Sequence, residues 1–234
     1  MRVRWLAFAA LAAVGPACAA SERAACGHSG VEVSYFERAD LAAACAALTD
    51  IVAYFRSMGF AFEPTVSVKF VEPRRKPAEG VVAYGHADVR SALVVVNTLS
   101  HRQPWGMPWN KELMGSFLRH ELTHIAVWQI LGRDAGRLRH EWHEFIAYAI
   151  QLHLLEPELR RKALANFSGI RPFDDLSAVN EFTYAMNPDA FAISAYLTYR
   201  EKGAQAFVRQ LLRGEIVPPP FAPPFPILPE EKGS

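Results

Sequence analysis

Apolar and polar positions divide the chain into a short mixed region followed by a helical remainder. From Asp40 to about Met58, DLAAACAALTDIVAYFRSM carries alanine and leucine at helical spacing, and Gly59 can end that helix. PTVSVKFVEP, residues 64–73, sets Thr65, Ser67 and Lys69 against Val66, Val68 and Phe70. That period of two predicts a half-buried strand. A polar loop, RRKPAEG, comes next; VVAYG, a short link and ALVVVN then predict a hairpin or two neighbouring strands over 81–97. Residues 98–110, TLSHRQPWGMPWN, contain two prolines and a glycine and are expected to be irregular.

Asn110 is a good N-cap for a helix from Lys111 to about Leu131, with Glu112 in its first turn and Gly132 just past its end. Leu113, Met114, Phe117, Leu118, Leu122, Ile125, Ala126 and Trp128 cover most of its circumference. A helix apolar nearly all round is a buried one. After the basic link GRDAGRLR, a second helix is expected from about His140 to Leu155, stopping before Pro157. Helical stretches are then expected over 158–166, 174–185, 189–201 and 204–212, with Gly203 and Gly214 as punctuation. From Val217 the tail VPPPFAPPFPILPEEKGS is dominated by proline and should be extended.

The first twenty residues read as a signal peptide, not as part of the fold. MRVR is positive, WLAFAALAAV is an apolar run of ten, and Ala17 and Ala19 stand in the small-residue relation of a cleavage site. That run is about half of the roughly 20 residues that a membrane span needs. Gly15 stands where a lipoprotein signal carries leucine, so lipid anchoring at Cys18 is the lesser alternative to a freely exported chain. Three parts follow: a leader over 1–20, one domain over 21–216 and a Pro-rich tail over 217–234. With the leader gone, Cys26 and Cys45 remain, and an oxidising compartment would let them form one disulfide. Removing Arg2 and Arg4 with the leader lowers the basic count from 25 to 23, against 24 acidic residues. No basic run is dense enough for phosphate neutralisation, which argues against nucleic-acid binding.

The segment HELTH at 120–124 carries the chemistry. Histidines at i and i+4 lie one above the other on a helix face, so His120 and His124 can bind one cation. Glu121, between them, is placed to act as general base on water acidified by that cation, with Zn2+ the expected ion. Val127 and Ile130 stand where the metzincin pattern wants glycine and histidine, so the third ligand is sought on the next helix. Glu144 lies 20 residues after His124 and Glu141 lies 17 after it. Glu144 is the first choice, with Glu141 and then His140 or His143 as the alternatives. The latter two also read as surface residues at a helix start. A glutamate not used as ligand would orient a ligand imidazole or remain a solvated charge.

Together, HELTH and the segment HEWHEFIAYAIQ resemble the gluzincin group of zinc metallopeptidases, in particular its bacterial peptidase-MA-like branch. That branch follows HExxH with a W-x-x-E-x-x-A-x-Y-like helix; here Trp142, Glu144, Ala147 and Tyr148 give a near match, shifted by one residue in places. The resemblance implies an α+β zincin-like fold, with a small twisted sheet beside the active-site helix and a mostly helical C-terminal lobe. It implies His120, His124 and Glu144 as metal ligands and Glu121 as base, in a peptidase acting on peptides or proteins, which the leader makes an exported one. Phe145 departs from the glycine that many relatives have after the ligand glutamate, and is expected to narrow the space beside the metal. Tyr184, Tyr196 and Tyr199 are candidates for stabilising the oxyanion. The segment 81–97 is the candidate edge strand for gripping an extended substrate. There Gly85 permits close backbone approach, unless it is an ordinary turn residue. A non-catalytic domain of the same fold and an amidase acting on a cell-wall linkage are the rival functions.

Overall fold

The computed structural model describes residues 21–71 and 84–220. The expected leader, the loop RRKPAEG, the start of the 81–97 segment and the tail beyond residue 220 lie outside the described residues.

Five short strands form one mixed sheet. They are β1 (Glu22–Ala24), β2 (Val31–Tyr35), β3 (Val66–Val71), β4 (Gly85–Asp88) and β5 (Leu93–Asn97), in the spatial order β1-β2-β3-β5-β4. Strands β2, β3 and β5 run parallel, and β1 and β4 pair antiparallel at the two ends. The alternation in β3 behaves as its sequence suggests, with Val66, Val68 and Phe70 buried and Ser67 and Lys69 exposed. The two N-terminal strands are additions to the sequence reading. In VEVSY, Val31, Val33 and Tyr35 turn inward while Glu32 faces out, but five residues are too few for the period to stand out.

Helix α1 (Arg38–Ser57) buries Ala44, Ala47, Leu48, Ile51 and Phe55, and packs on β2 and on α2 (Lys111–Leu131). The Cys26–Cys45 disulfide ties the N-terminal segment to α1. Asn110 caps α2 as expected, its Oδ1 accepting from the Leu113 N–H at 2.9 Å. Helix α2 lies against β4 and β5 on one side and α3 (His140–Leu154) on the other. That central position is why it is apolar nearly all round. Helices α4 (Pro157–Asn166), α5 (Glu181–Met186), α6 (Pro188–Glu201) and α7 (Gln205–Arg213) complete the helical half, with α6 packed on α3.

One expected helix is broken. Residues 174–185 form a 3-10 turn at Leu176–Ala178 and then the short α5. Asp175 accepts from Ser177 N at 2.7 Å and Asn180 from Thr183 N at 3.0 Å, so the chain restarts twice where one helix was expected. The irregular 98–110 segment holds a 3-10 turn at Pro104–Gly106, where Trp105 is buried with φ 51°. Among the described residues, no helix is long and apolar enough to cross a membrane. The chain is thus α+β, with a small mixed sheet and a larger helical part.

Candidate metal centre

Helix α2 presents His120 and His124 one turn apart, and α3 brings Glu144 up to them. Their ligating atoms close a triangle. His120 Nε2 and His124 Nε2 are 3.1 Å apart, and each is 3.4 Å from an oxygen of Glu144. All three side chains are buried or nearly so, at 6%, 12% and 8% exposure, which takes them out of the ordinary surface pairings of charge. Two donors held about 2.0–2.1 Å from one tetrahedral ion would lie roughly 3.3–3.4 Å apart. The observed spacing fits such an ion, and two imidazoles with one carboxylate are a suitable donor set. This buried group can hold a metal ion.

The choice among the candidates of α3 follows from where its face points. Glu141, one turn before Glu144, is buried but turns to Arg139, whose Nε donates to it at 2.8 Å. His143 is half-buried with its Nε2 3.4 Å from the Ala135 carbonyl, and His140 is largely exposed at the rim. Phe145 corrects the expectation that it would crowd the metal. It is fully buried against Trp142, Phe173 and Phe207, on a different side of α3 from Glu144. Adjacent helical residues point about 100° apart, so a bulky neighbour of the ligand need not share its space.

Burial disfavours charge at each of these groups, and their mutual fields decide the rest. Burial pushes the Glu144 carboxyl up, but His124 and His120 outweigh it and hold it at about 2. Burial drives His124 down to about 3 despite the Glu144 charge. At His120 burial is overcome by the hydrogen bond and charge of Glu144, and the imidazole is raised. Burial lifts Glu121 to about 7; His120 opposes the rise and Glu144 adds to it. The backbone N–H of Ala87, on β4, donates to the Glu121 carboxylate.

These groups line an open cleft of about 650 Å³. Its lining includes β4 and its flanks, with Tyr84, Gly85, His86, Ala87 and Val89, and also Tyr148 and Tyr184. Gly85 is a close-approach residue: a Cβ there would meet Glu121 Cγ at 3.0 Å and Glu121 Oε1 at 3.1 Å. It sits within β4, paired with Val96, so the turn alternative is excluded. Of the three candidate tyrosines, Tyr184 lines the cleft. Tyr199 is fully buried with its hydroxyl 3.1 Å from that of Tyr54, and the Tyr196 hydroxyl accepts from Arg200 at 3.2 Å, so both belong to the core. Tyr148, whose ring lies 4.4 Å from that of His120, joins Tyr184 at the site. Its spacing one turn after Glu144 was the sequence signal for it.

A family model, described as a family of unknown function (DUF6639), matches residues 31–219. The chain belongs to this family. The match runs from β2 past α7 and so takes in the HELTH helix, Glu144 and the lining of the cleft. No curated protein and no solved structure matches the chain. Membership in this family thus carries no activity with it, and function is argued from the site.

Proposed function

We propose that this chain is an exported zinc-dependent hydrolase of the gluzincin kind that cleaves peptide bonds. The observation carrying this reading is the convergence of His120, His124 and Glu144 from two helices, with Glu121 beside them on the wall of an open cleft. When bound, zinc would acidify water and polarise the scissile carbonyl. Glu121 takes the proton from that water and passes it to the leaving amine. Its position is held by the Ala87 N–H and by the backbone at Gly85.

The sheet supports the peptide reading. Among the described residues β4 is the end strand, hydrogen-bonded to β5, and its residues line the cleft beside Glu121. An extended peptide added along β4 would pass across the three donors. Tyr184, which also lines the cleft, supplies a hydroxyl for the oxyanion formed during attack. The small sheet packed beside the HExxH helix supports the zincin-like reading, which implies such a sheet there. The disulfide and the leader-like first twenty residues support export.

The test is metal analysis of the purified mature chain, with turnover followed on peptide libraries and cell-wall fragments. The expected result is one equivalent of zinc and peptide cleavage, with Glu121→Gln retaining the metal and losing turnover. A folded preparation that takes up no divalent ion overturns the reading. Cleavage confined to cell-wall fragments would transfer the same chemistry to that amide, and zinc uptake without any turnover would leave a binding domain.

A further inference from the structure

Behind the site, two buried polar side chains that the proposed chemistry does not use stand in line with His120. His120 Nδ1 is 3.1 Å from Gln151 Oε1, Gln151 Nε2 is 3.1 Å from Ser116 Oγ, and Ser116 Oγ is 2.9 Å from the Leu113 carbonyl. Gln151 and Ser116 are fully buried, so each of these bonds is made without competition from water. The geometry points to Gln151 as the positioning residue that turns the Nε2 of His120, and not its Nδ1, towards the metal position.

The direction of every link follows from the far end. The Leu113 carbonyl can only accept, so the Ser116 hydroxyl donates to it. Ser116 Oγ is then left to accept, and the group facing it must be the Gln151 amide N–H. That orients Gln151 Oε1 towards the ring, where Nδ1 must carry a proton to satisfy it. His120 Nε2 is thereby left facing His124 and Glu144 with its lone pair available. A backbone carbonyl within the first turn of α2 sets the tautomer of a ligand on the third turn, by way of α3.

The choice of an amide has a physical reason. Imidazoles that hold a metal commonly donate to a carboxylate, a backbone carbonyl or water. A carboxylate at position 151 would add a third acidic group to a buried region already containing Glu121 and Glu144, and buried like charges disfavour one another. Gln151 accepts the same bond without adding a charge. Its own second end is satisfied by Ser116.

This inference rests on the metal reading above, and its test separates the two. Zinc affinity is measured on the full mature chain by competition with a chromophoric chelator. The bonded ring nitrogen of His120 is read by long-range ¹H–¹⁵N correlation on zinc-loaded protein labelled at histidine. The expected result is coordination through Nε2 with Nδ1 protonated. Gln151→Leu should bind zinc roughly 10–100-fold more weakly, and Ser116→Ala more weakly by a smaller factor. Gln151→Glu restores the acceptor but adds a buried charge and loses the donor to Ser116, so it should recover only part of the affinity that Gln151→Leu loses. If Gln151→Leu does not fold, the nitrogen assignment together with Ser116→Ala decides. Coordination through Nδ1, or undiminished affinity in the folded variants, overturns this inference and leaves the metal reading standing. A wild-type chain that takes up no zinc overturns both.

Discussion

Gly85 lies directly against Glu121: a Cβ there would stand 3.0 Å from Glu121 Cγ, so a methyl group would have to displace its neighbours by a few tenths of an ångström. The contact joins the end strand of the sheet to the proposed base. Gly85→Ala should therefore displace Glu121 or push β4 outward. Catalysis is expected to fall, by less than the roughly 100-fold associated with misplacing a reacting group by about 1 Å. Overpacking of this kind costs roughly 1–3 kcal/mol. Zinc content should be unchanged, because the contact does not involve the three donors. Steady-state kinetics, a melting curve and metal analysis on one preparation check all three.

Glu144 and Glu141 lie on the same helix with opposite expected consequences. Glu144→Ala removes a donor from the triangle and should weaken zinc binding by more than the roughly 100-fold upper end for an outer partner. Glu141→Ala breaks its pair with Arg139, which should lower the melting temperature because that carboxylate is buried, and should leave zinc affinity intact. Chelator competition on the two variants distinguishes them, and an equal loss in both would contradict the assignment.

The tyrosines separate in the same way. Tyr184→Phe removes a cleft hydroxyl and should lower kcat by roughly 100–1000-fold, the usual scale for losing an oxyanion donor, with little change in melting temperature. Tyr199→Phe removes a buried bond to Tyr54 and should cost about 1 kcal/mol of stability while leaving kcat alone. A Tyr184→Phe enzyme with undiminished kcat would exclude that hydroxyl from the reaction.

The Cys26–Cys45 bridge closes a loop of 19 residues of separation. Loop closure of that length is worth about 3 kcal/mol through restriction of the unfolded chain. The melting temperature should fall on reduction or in Cys45→Ser, and zinc affinity should be little affected because neither cysteine lies in the cleft lining. A reduced protein that melts unchanged would show that the bond contributes no stability.

Local order along single elements was legible in the sequence. The cap at Asn110, the i, i+4 pair His120 and His124, the alternation in β3 and the pairing of Cys26 with Cys45 all follow from spacing and residue chemistry. Each depends on neighbours a few residues away, or on the few cysteines present. What the sequence left open was the orientation of one element against another. Spacing places Glu141 and Glu144 on nearly the same face of α3, and only the packing of that helix against α2 and α6 selects Glu144 for the histidines. The same packing turns Phe145 into the core, brings Gln151 behind His120, and separates Tyr184 from Tyr196 and Tyr199. A helix repeats its own faces every 3.6 residues, but its rotation about its axis is fixed by which apolar side chains it buries against its neighbours. Here Trp142, Phe145, Ile146, Ala149 and Ile150 set that rotation, and the donors follow from it.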